Sequence, residues 1–390
     1  MVKRIQKSKI LLGASVHAIT DFYSSFIVGM IPIFTVKLGL SLFLVSTLTA
    51  VNFISANLSQ PLFGYLSDKY GMKRFLVLGP LMASVFISLL GITSTYWVIL
   101  ICLFLGNLGV AATHPPTAAI ATYFGGPRRG FANAIISFGG AFGFSLGSIF
   151  IIFIIEKLGL AFTPLASVPG ILTAAVILKF TPDIGISTQL AGPASFFDKL
   201  KKVRRPKIIL LTMIILIAYF RETTGIALLT FIPLYLTDRG VELLNFGYIF
   251  MAFIIVGGLG GLAAGFYSDR IQKRHIVLQI LIFSALPCLY AIFIFPVNIS
   301  IVFFILYGLF SVATIPLSNR LAQDIFPKNA ALATSFSIGV ATGSASATVL
   351  LIGKIADILG IITTLRYVMI LPVISVILLF FYPVVKARIR

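Results

Sequence analysis

The sequence predicts an all-α membrane protein with twelve transmembrane helices in two pseudo-symmetric six-helix bundles. Apolar residues make up 59% of the 390 residues and charged residues only 11%, with a mean hydropathy of +1.08. Soluble domains are about a quarter charged. Apolar runs of about 20 residues, separated by short polar connectors, are typical of helices that span a bilayer. The third observation is an internal repeat.

The second half of the chain repeats landmarks of the first half at a constant offset of 201 residues, as from Gly64 to Gly265. The other matching pairs are Asp68 and Asp269, Pro32 and Pro233, Thr113 and Thr314, Pro115 and Pro316, and Asp21 and Glu222. Several landmarks at one offset indicate two halves built on one plan. In so apolar a chain, a doubled half predicts a transporter with its substrate site between the halves.

Twelve apolar runs define the predicted spans, taken in order along the chain. They cover residues 10–36, 41–66, 75–94, 96–124, 130–155, 161–180, 208–236, 243–268, 275–295, 297–325, 329–354 and 361–385. Residues 181–207 form the one long connector, which is polar and ends in a basic run. We therefore predict an N-terminal bundle over 1–180, a cytoplasmic basic linker over 181–207 and a C-terminal bundle over 208–390.

The formal net charge of +19 has a membrane explanation. Most lysines and arginines fall on one side of the predicted spans, and the other side holds little beyond Lys37, Lys157, Arg239, Lys354 and Arg366. This bias follows the positive-inside rule and predicts a multi-pass protein of the cell membrane with both termini in the cytoplasm. The basic residues can also attract anionic membrane lipids. We expect a monomer and no nucleic-acid partner.

Small residues at four-residue spacing predict close contacts between helices. The fifth span carries Gly139, Gly143 and Gly147, the eighth carries Gly257, Gly261 and Gly265, and the eleventh carries Gly339 and Gly343. Such stripes let two backbones approach each other where lipid offers no hydrophobic drive for association.

The loop after the second span contains the most specific motif, Gly64-Tyr-Leu-Ser-Asp68-Lys69-Tyr-Gly71-Met-Lys-Arg74. It resembles the signature of the major facilitator superfamily: glycine, leucine, a small residue, aspartate, a basic residue, glycine and a basic pair. A weaker copy over 265–274, with Asp269 and Arg270, lacks the second glycine. The resemblance covers the whole chain and implies the major facilitator fold.

The same resemblance implies a conformational role for the loop. Asp68 is expected to lock the two halves together when the transporter faces outward, at the start of the eleventh helix. A carboxylate at a helix N-terminus is stabilised by about 0.3–1 kcal/mol. Asp269 is expected to do the same at the fifth helix. The alternative is that both aspartates simply lie in solvated loops. In the first half, Gly71 would form the turn of that loop.

Five ionisable residues lie inside the predicted spans. His17 and Asp21 fall in the first span, His114 in the fourth, and Arg221 with Glu222 in the seventh. An ionisable group is costly in lipid, so we expect each to face a cavity, a partner or both. The superfamily resemblance implies that the first, fourth, seventh and tenth helices line the central cavity, and three of those helices carry all five residues.

His17 and Asp21 are four residues apart, so they share a helix face and can form a hydrogen bond. A histidine beside a carboxylate can exchange a proton near neutral pH. We predict proton coupling at Asp21, Glu222 and His17, and a substrate cavity with Arg221, His114 and Asp21.

Each of these assignments has a structural alternative. Arg221 is either an anchor for an anionic substrate or a counter-ion that neutralises a carboxylate. His17 can simply cap a bend. His114 precedes Pro115 and Pro116, which free backbone carbonyls, so it can either satisfy one of these carbonyls or point into the cavity.

A closer resemblance is to the fosmidomycin-resistance branch of the superfamily. It is carried by His17 and Asp21, by Thr113-His114-Pro115, by Gly139-Gly-Ala-Phe-Gly143, and by Arg221-Glu-Thr-Thr-Gly225 with Thr230-Phe-Ile-Pro-Leu-Tyr235. The branch implies proton-driven efflux of drugs or metabolites. The chain departs from the branch at Pro116, where an acidic residue is expected, and at Glu222, which stands beside the arginine.

Together these observations predict a secondary transporter, a proton-coupled antiporter that exports a small drug-like, phosphonate or metabolite compound. The alternative is proton-coupled uptake of an organic anion or other small metabolite. No nucleophile and base cluster near one membrane face, so an enzyme is not expected. Neither a cofactor nor a metal site is predicted, because the three histidines lack ligand spacing and both cysteines lie in apolar runs.

Overall fold

A computed structural model describes residues 5–126, 129–180, 205–268, 273–325 and 330–387. These residues form fifteen α-helices and two 3₁₀ segments, and this part of the chain contains no strand. Twelve of its stretches are long and apolar enough to cross a membrane. The predicted all-α fold with twelve spans is therefore confirmed.

Eight α-helices precede the long connector. They are α1 (Lys7–Ser24), α2 (Phe26–Leu38), α3 (Leu42–Leu58), α4 (Gln60–Tyr70), α5 (Met72–Ser88), α6 (Tyr96–Phe124), α7 (Arg129–Leu158) and α8 (Val168–Phe180). The 3₁₀ segments Leu89–Ile92 and Leu160–Ser167 extend α5 and precede α8.

Seven α-helices follow the connector. They are α9 (Arg205–Thr237), α10 (Leu243–Ser268), α11 (Arg274–Ala291), α12 (Val297–Ile325), α13 (Ala330–Leu359), α14 (Ile361–Val368) and α15 (Ile370–Ala387).

Three of the predicted spans are interrupted helices. The breaks fall at Ser25 between α1 and α2, at Ser59 between α3 and α4, and at Met369 between α14 and α15. At Ser25 the backbone N–H donates to the Asp21 carbonyl and the hydroxyl donates to the Phe22 carbonyl. A break in a membrane helix is tolerated where such bonds satisfy the freed backbone groups.

The chain divides into two compact units. Unit 1 holds residues 1–190 with 240–255, and unit 2 holds 191–239 with 256–390. The first half of α10 thus groups with unit 1, although the sequence predicted a single change of bundle at the linker. Most of that linker, residues 181–204, lies outside the described residues, so its predicted boundaries stay predictions.

The internal repeat is visible in the packing inside each unit. In unit 1, α1 packs on α7 and α5 on α6; in unit 2, the equivalent helices α9 and α13, and α11 and α12, form the corresponding pairs. A side chain added at Gly64 would contact Pro115 at 3.6 Å, and one added at Gly265 would contact Pro316 at 3.8 Å. The same glycine–proline contact therefore occurs in both halves.

The predicted close approach of the fifth span occurs against α1. A Cβ at Gly139 would lie 2.6 Å from the Ala14 carbonyl oxygen, and a Cβ at Gly143 or Gly147 would overlap the carbonyl of Ala18 or Phe22. Glycines four residues apart on α7 thus face carbonyls four residues apart on α1. This spacing lets the two backbones touch directly.

The other two stripes behave differently from each other. In α10, a Cβ at Gly257 would lie 3.0 Å from the Gly308 carbonyl oxygen, whereas one at Gly261 or Gly265 would have its nearest neighbour at 3.8 Å, an ordinary contact. The closest approach of α10 to α12 is instead at Gly260, outside the predicted stripe, where a Cβ would lie 2.6 Å from the Leu309 carbonyl oxygen. At Gly339 of α13, a Cβ would meet nothing within 4 Å. The prediction of a close contact at Gly339 is therefore wrong.

This difference between stripes supplies a matched test. We expect Gly143→Val to lower the thermal stability of the purified protein, because overpacking a tight contact costs about 1–3 kcal/mol or more. Gly339→Val makes the same change where space is open, and it should alter stability little. Unfolding can be followed with a thiol-reactive dye, since Cys102 in unit 1 and Cys288 in unit 2 are both buried and free. Equal destabilisation by both substitutions would contradict the packing described for α1 and α7.

Candidate functional site

Three of the predicted residues meet inside unit 1 and form what we call the histidine–aspartate centre: His17, Asp21 and His114. His17 and Asp21 stand one turn apart on α1, and His114 comes from α6. The Nε2 atom of His17 lies 3.2 Å from Oδ2 of Asp21, and Nε2 of His114 lies 3.3 Å from Oδ1. Each histidine thus contacts a different oxygen of the same carboxylate.

A third helix fixes the orientation of the first histidine. The Nδ1 atom of His17 lies 3.0 Å from the carbonyl oxygen of Ile136 on α7. A carbonyl only accepts, so Nδ1 carries a hydrogen and Nε2 is the atom left to face Asp21. Nε2 can donate to the Asp21 carboxylate only when the ring carries a hydrogen on both nitrogens and is positively charged.

The two imidazole rings also pack on each other. Their centroids are 4.6 Å apart and their planes make an angle of 80°, an edge-to-face arrangement. The side chains of His17, Asp21 and His114 are 12%, 18% and 25% exposed, respectively. The centre is thus largely shielded by protein.

The local fold explains why these residues meet. The glycine contact between α1 and α7 presses His17 against Ile136, and Gly140 of α7 faces both His17 and Asp21. On α6, His114 directs Nε2 to Asp21 rather than to a carbonyl freed by Pro115 and Pro116, so the alternative of a carbonyl partner for Nε2 is not what the structure shows.

The other two predicted residues form a pair in unit 2. Nη2 of Arg221 lies 2.5 Å from Oε1 of Glu222, its neighbour on α9. The two side chains are 10% and 22% exposed, so this is a largely buried ion pair. Arg221 therefore has a carboxylate partner inside its own helix, as the counter-ion alternative expected.

Polar groups from neighbouring helices surround this pair. Tyr307 of α12 is buried, interacts electrostatically with both Arg221 and Glu222, and accepts a hydrogen bond from Ser311 at 3.4 Å. The Nε atom of Arg221 is buried without a hydrogen-bond partner among the described residues. A buried donor without an acceptor costs about 1–3 kcal/mol, so this nitrogen is available to an added acceptor.

The donor atoms of the histidine–aspartate centre lie close enough to share a small cation. One ligand atom from each of His17, Asp21 and His114 can be chosen so that all three lie within 4.8 Å of one another. The sequence predicted no metal site because no histidine pair had ligand spacing along the chain. Folding brings two distant histidines onto one carboxylate, which spacing along the chain cannot reveal.

The motif residues lie at the junction of α4 and α5. Asp68 is half-buried near the end of α4, Lys69 lies over the ring of Tyr70 at 5.1 Å, and Arg74 is exposed. Gly71 ends α4 with φ +94°, a backbone conformation that favours glycine. In the second half, Asp269 and Arg270 lie outside the described residues, so their role stays a prediction.

Two polar contacts support the sites. In unit 1, Asn107 of α6 donates to Asn52 of α3 at 2.8 Å and accepts from Ser24 of α1 at 3.1 Å, and all three are buried. This network joins the helices that carry the histidine–aspartate centre. Uncharged polar residues within spans are the signal that points to such contacts.

The second contact belongs to unit 2. Nη1 of Arg274, at the end of the second motif copy, lies 2.7 Å from Oδ2 of Asp324 on α12. An aspartate near the end of a predicted span is typical of a charge at a helix end, so its pairing with Arg274 cannot be inferred from the sequence.

Comparison with known proteins agrees with the resemblance seen in the residues. The Major Facilitator Superfamily model matches residues 13–342. The Fosmidomycin resistance protein of Escherichia coli (strain K12) is 24% identical over 373 residues, which cover 93% of this chain and 90% of that protein. The Sialic acid transporter NanX of the same organism is 25% identical and covers 85% and 82%, respectively. An MFS-type transporter of Bacillus subtilis (strain 168), YfnC, is 23% identical, with 92% and 89% covered.

Solved structures share the fold at low sequence identity. A bacterial homolog of the human lysosomal transporter Spinster, in an inward-facing and occupied conformation, matches with a TM-score of 0.78 at 16% identity and 96% coverage of both chains. A mutant of the nucleoside transporter NupG matches with a TM-score of 0.74 at 14% identity, covering 97% of this chain and 99% of that one.

The ion pair in unit 2 yields a stability prediction. Glu222→Leu leaves the Arg221 charge buried without its carboxylate, which should cost about 3–5 kcal/mol. The double variant Arg221→Met with Glu222→Leu removes both charges and should recover most of that loss. Thiol-dye unfolding that reports on Cys288 measures both effects, and Glu156→Leu at an exposed position serves as control. A double variant no more stable than the single one would contradict the pairing.

Proposed function

The chain belongs to the major facilitator superfamily, and we propose that within this family it is a proton-coupled antiporter that exports a small drug-like, phosphonate or metabolite compound. Membership makes it a multi-pass membrane protein, a secondary transporter that works by alternating access and not an enzyme. The coupling ion, the direction of transport and the class of substrate are what we propose beyond family membership.

One observation carries the proposal: among the described residues, equivalent positions of the two halves hold a largely shielded carboxylate in contact with a basic side chain. Asp21 lies between two histidines in unit 1, and Glu222, its counterpart at the repeat offset, pairs with Arg221 in unit 2. Such groups are costly inside a membrane and mark ion or substrate pathways. A carboxylate that can exchange one positive partner for another is what an antiporter needs.

In the proposed cycle, Asp21 or Glu222 accepts a proton from the outer side and the substrate is released. Loss of the proton on the inner side lets substrate bind again. His17 assists at Asp21, and His114 contributes to the substrate cavity, as the sequence predicted. We place the chain in the cell membrane with both termini in the cytoplasm, acting as a monomer among membrane lipids.

The direction of transport is proposed from likeness along nearly the full chain. The Fosmidomycin resistance protein covers 93% of this chain, and resistance to a compound is the outcome expected of an exporter. Because the identity is 24%, the compound itself is left open to a phosphonate, a drug-like molecule or a metabolite.

A second candidate function is proton-coupled uptake of an organic anion, which one observation favours. Within the described part of the chain, the buried Nε of Arg221 has no acceptor, while Nη2 binds Glu222. Protonation of Glu222 would release Arg221 to bind an anionic group, so proton and anion would bind together. Binding in the same step is what an importer of anions requires.

Transport in proteoliposomes with an imposed pH gradient tests the coupling. The substrates to screen are fosmidomycin, sialic acid, other organic acids and cationic drugs. We expect Asp21→Asn and Glu222→Gln to abolish gradient-driven flux and to leave exchange of substrate at least partly intact, because neutral side chains no longer accept the proton. Glu156→Gln, at an exposed position, is the matched control. If both test variants concentrate substrate like the parent chain, neither carboxylate couples transport to protons.

The two directions give opposite phenotypes in cells. Export predicts that expression raises resistance to a transported compound, whereas uptake predicts that expression permits growth on one. Under uptake, Arg221→Gln should raise the KM for an organic anion at least about tenfold, since a charged hydrogen bond is worth about 1.5–3 kcal/mol. Arg221→Lys keeps the positive charge, so its KM should rise less than that of Arg221→Gln. An unchanged KM in both variants would remove Arg221 from substrate binding.

A further inference from the structure

We infer that the histidine–aspartate centre binds one divalent transition metal ion of the Zn²⁺ class, through Nε2 of His17, the carboxylate of Asp21 and Nε2 of His114. The three residues come from two helices and converge on one point inside unit 1. Two histidines and one carboxylate are a common three-ligand set for zinc.

The donor separations match those of a coordinated metal. Zinc binds imidazole nitrogen and carboxylate oxygen at about 2.0–2.2 Å, so two ligands at the tetrahedral angle lie about 3.3–3.5 Å apart. The two nitrogen–oxygen separations in the centre are 3.2 and 3.3 Å. The two pairs use different oxygens of Asp21, and the three donor atoms together lie within 4.8 Å of one another. The side chains must therefore draw together to place all three donors around one ion.

The orientation of His17 also suits a metal ligand. Its Nδ1 faces the Ile136 carbonyl at 3.0 Å, so Nε2, which faces Asp21, is the nitrogen that would bind a metal. Histidines that bind metals almost always donate their second ring nitrogen to a carbonyl, a carboxylate or water, which fixes the ring and its tautomer. That outer contact is already in place here.

A missing side chain leaves room beside the donors. A Cβ at Gly140 would lie 2.6 Å from Oδ2 of Asp21 and 2.8 Å from Nε2 of His17. Any larger residue at this position would crowd the two donor atoms. The His114 side chain is about a quarter exposed, and three-ligand zinc sites keep a fourth coordination position for water or substrate.

The ligand types set the expected selectivity. Imidazole nitrogen suits Zn²⁺, Co²⁺ and Ni²⁺, whereas Mg²⁺ and Ca²⁺ prefer sites made of oxygen atoms only. We therefore expect the centre to bind Zn²⁺, Co²⁺ and Ni²⁺, and not to bind Mg²⁺ or Ca²⁺ at the same concentration.

The test uses the full-length protein, purified without a histidine tag and stripped with a chelator. Titration with Zn²⁺ alone should give one site per chain by calorimetry, and Co²⁺ should give the visible absorption of a tetrahedral nitrogen–oxygen site. His114→Ala and Asp21→Asn each remove a ligand and should weaken binding by more than about 100-fold, because loss of an outer-shell partner alone costs about 10–100-fold. Gly140→Ala should weaken binding while leaving all three ligands in the chain.

The remaining histidine of the chain provides the control. His275 lies on α11 in unit 2, where it stacks on Tyr382, so His275→Ala should bind Zn²⁺ like the parent chain. Thermal unfolding with the thiol dye shows whether each variant is folded. Absence of the Co²⁺ spectrum, or equal Zn²⁺ affinity in His114→Ala, Asp21→Asn and the parent chain, would overturn the inference. Because binding is read without transport, neither outcome depends on the proposed direction or coupling ion.

Discussion

Direct contact between the backbones of α1 and α7 positions the chemistry of unit 1. Glycines at 139, 143 and 147 place no side chain between α7 and the carbonyls of α1, so the two helices touch along three turns. This contact brings Ile136 within hydrogen-bond distance of His17 and leaves Gly140 beside Asp21. With bulkier residues in this stripe, the helices would separate and His17 would lose the bond that orients it.

The cost of charge in a membrane explains how the ionisable residues are arranged. Each unit gathers its deep charges into one cluster, in which every charged group has a partner of opposite or exchangeable charge. The clusters are not copies of each other, although Asp21 and Glu222 stand at equivalent positions of the repeat. Unit 1 offers imidazoles, which take up protons or metal ions, whereas unit 2 offers a guanidinium, which stays charged and attracts anions.

This asymmetry gives the two units different chemistry on one shared plan. The repeat preserves helix pairs and the contact of Gly64 with Pro115 and of Gly265 with Pro316. Those positions determine how the helices pack, and both halves pack in the same way. Asp21 and Glu222, which face different basic partners, have diverged.

The sequence by itself determined the number of spans, the repeat and the helices that carry buried charge, because hydropathy and the cost of ionisable groups in lipid act along the chain. It also determined the stripe of α7, since glycine spacing is local. Tertiary structure alone decided that His114 contacts Asp21, that Arg221 pairs with Glu222, and that Gly339 makes no close contact. Those outcomes depend on which helices pack against each other and on side-chain rotamers. The spacing of residues along one helix determines neither of these.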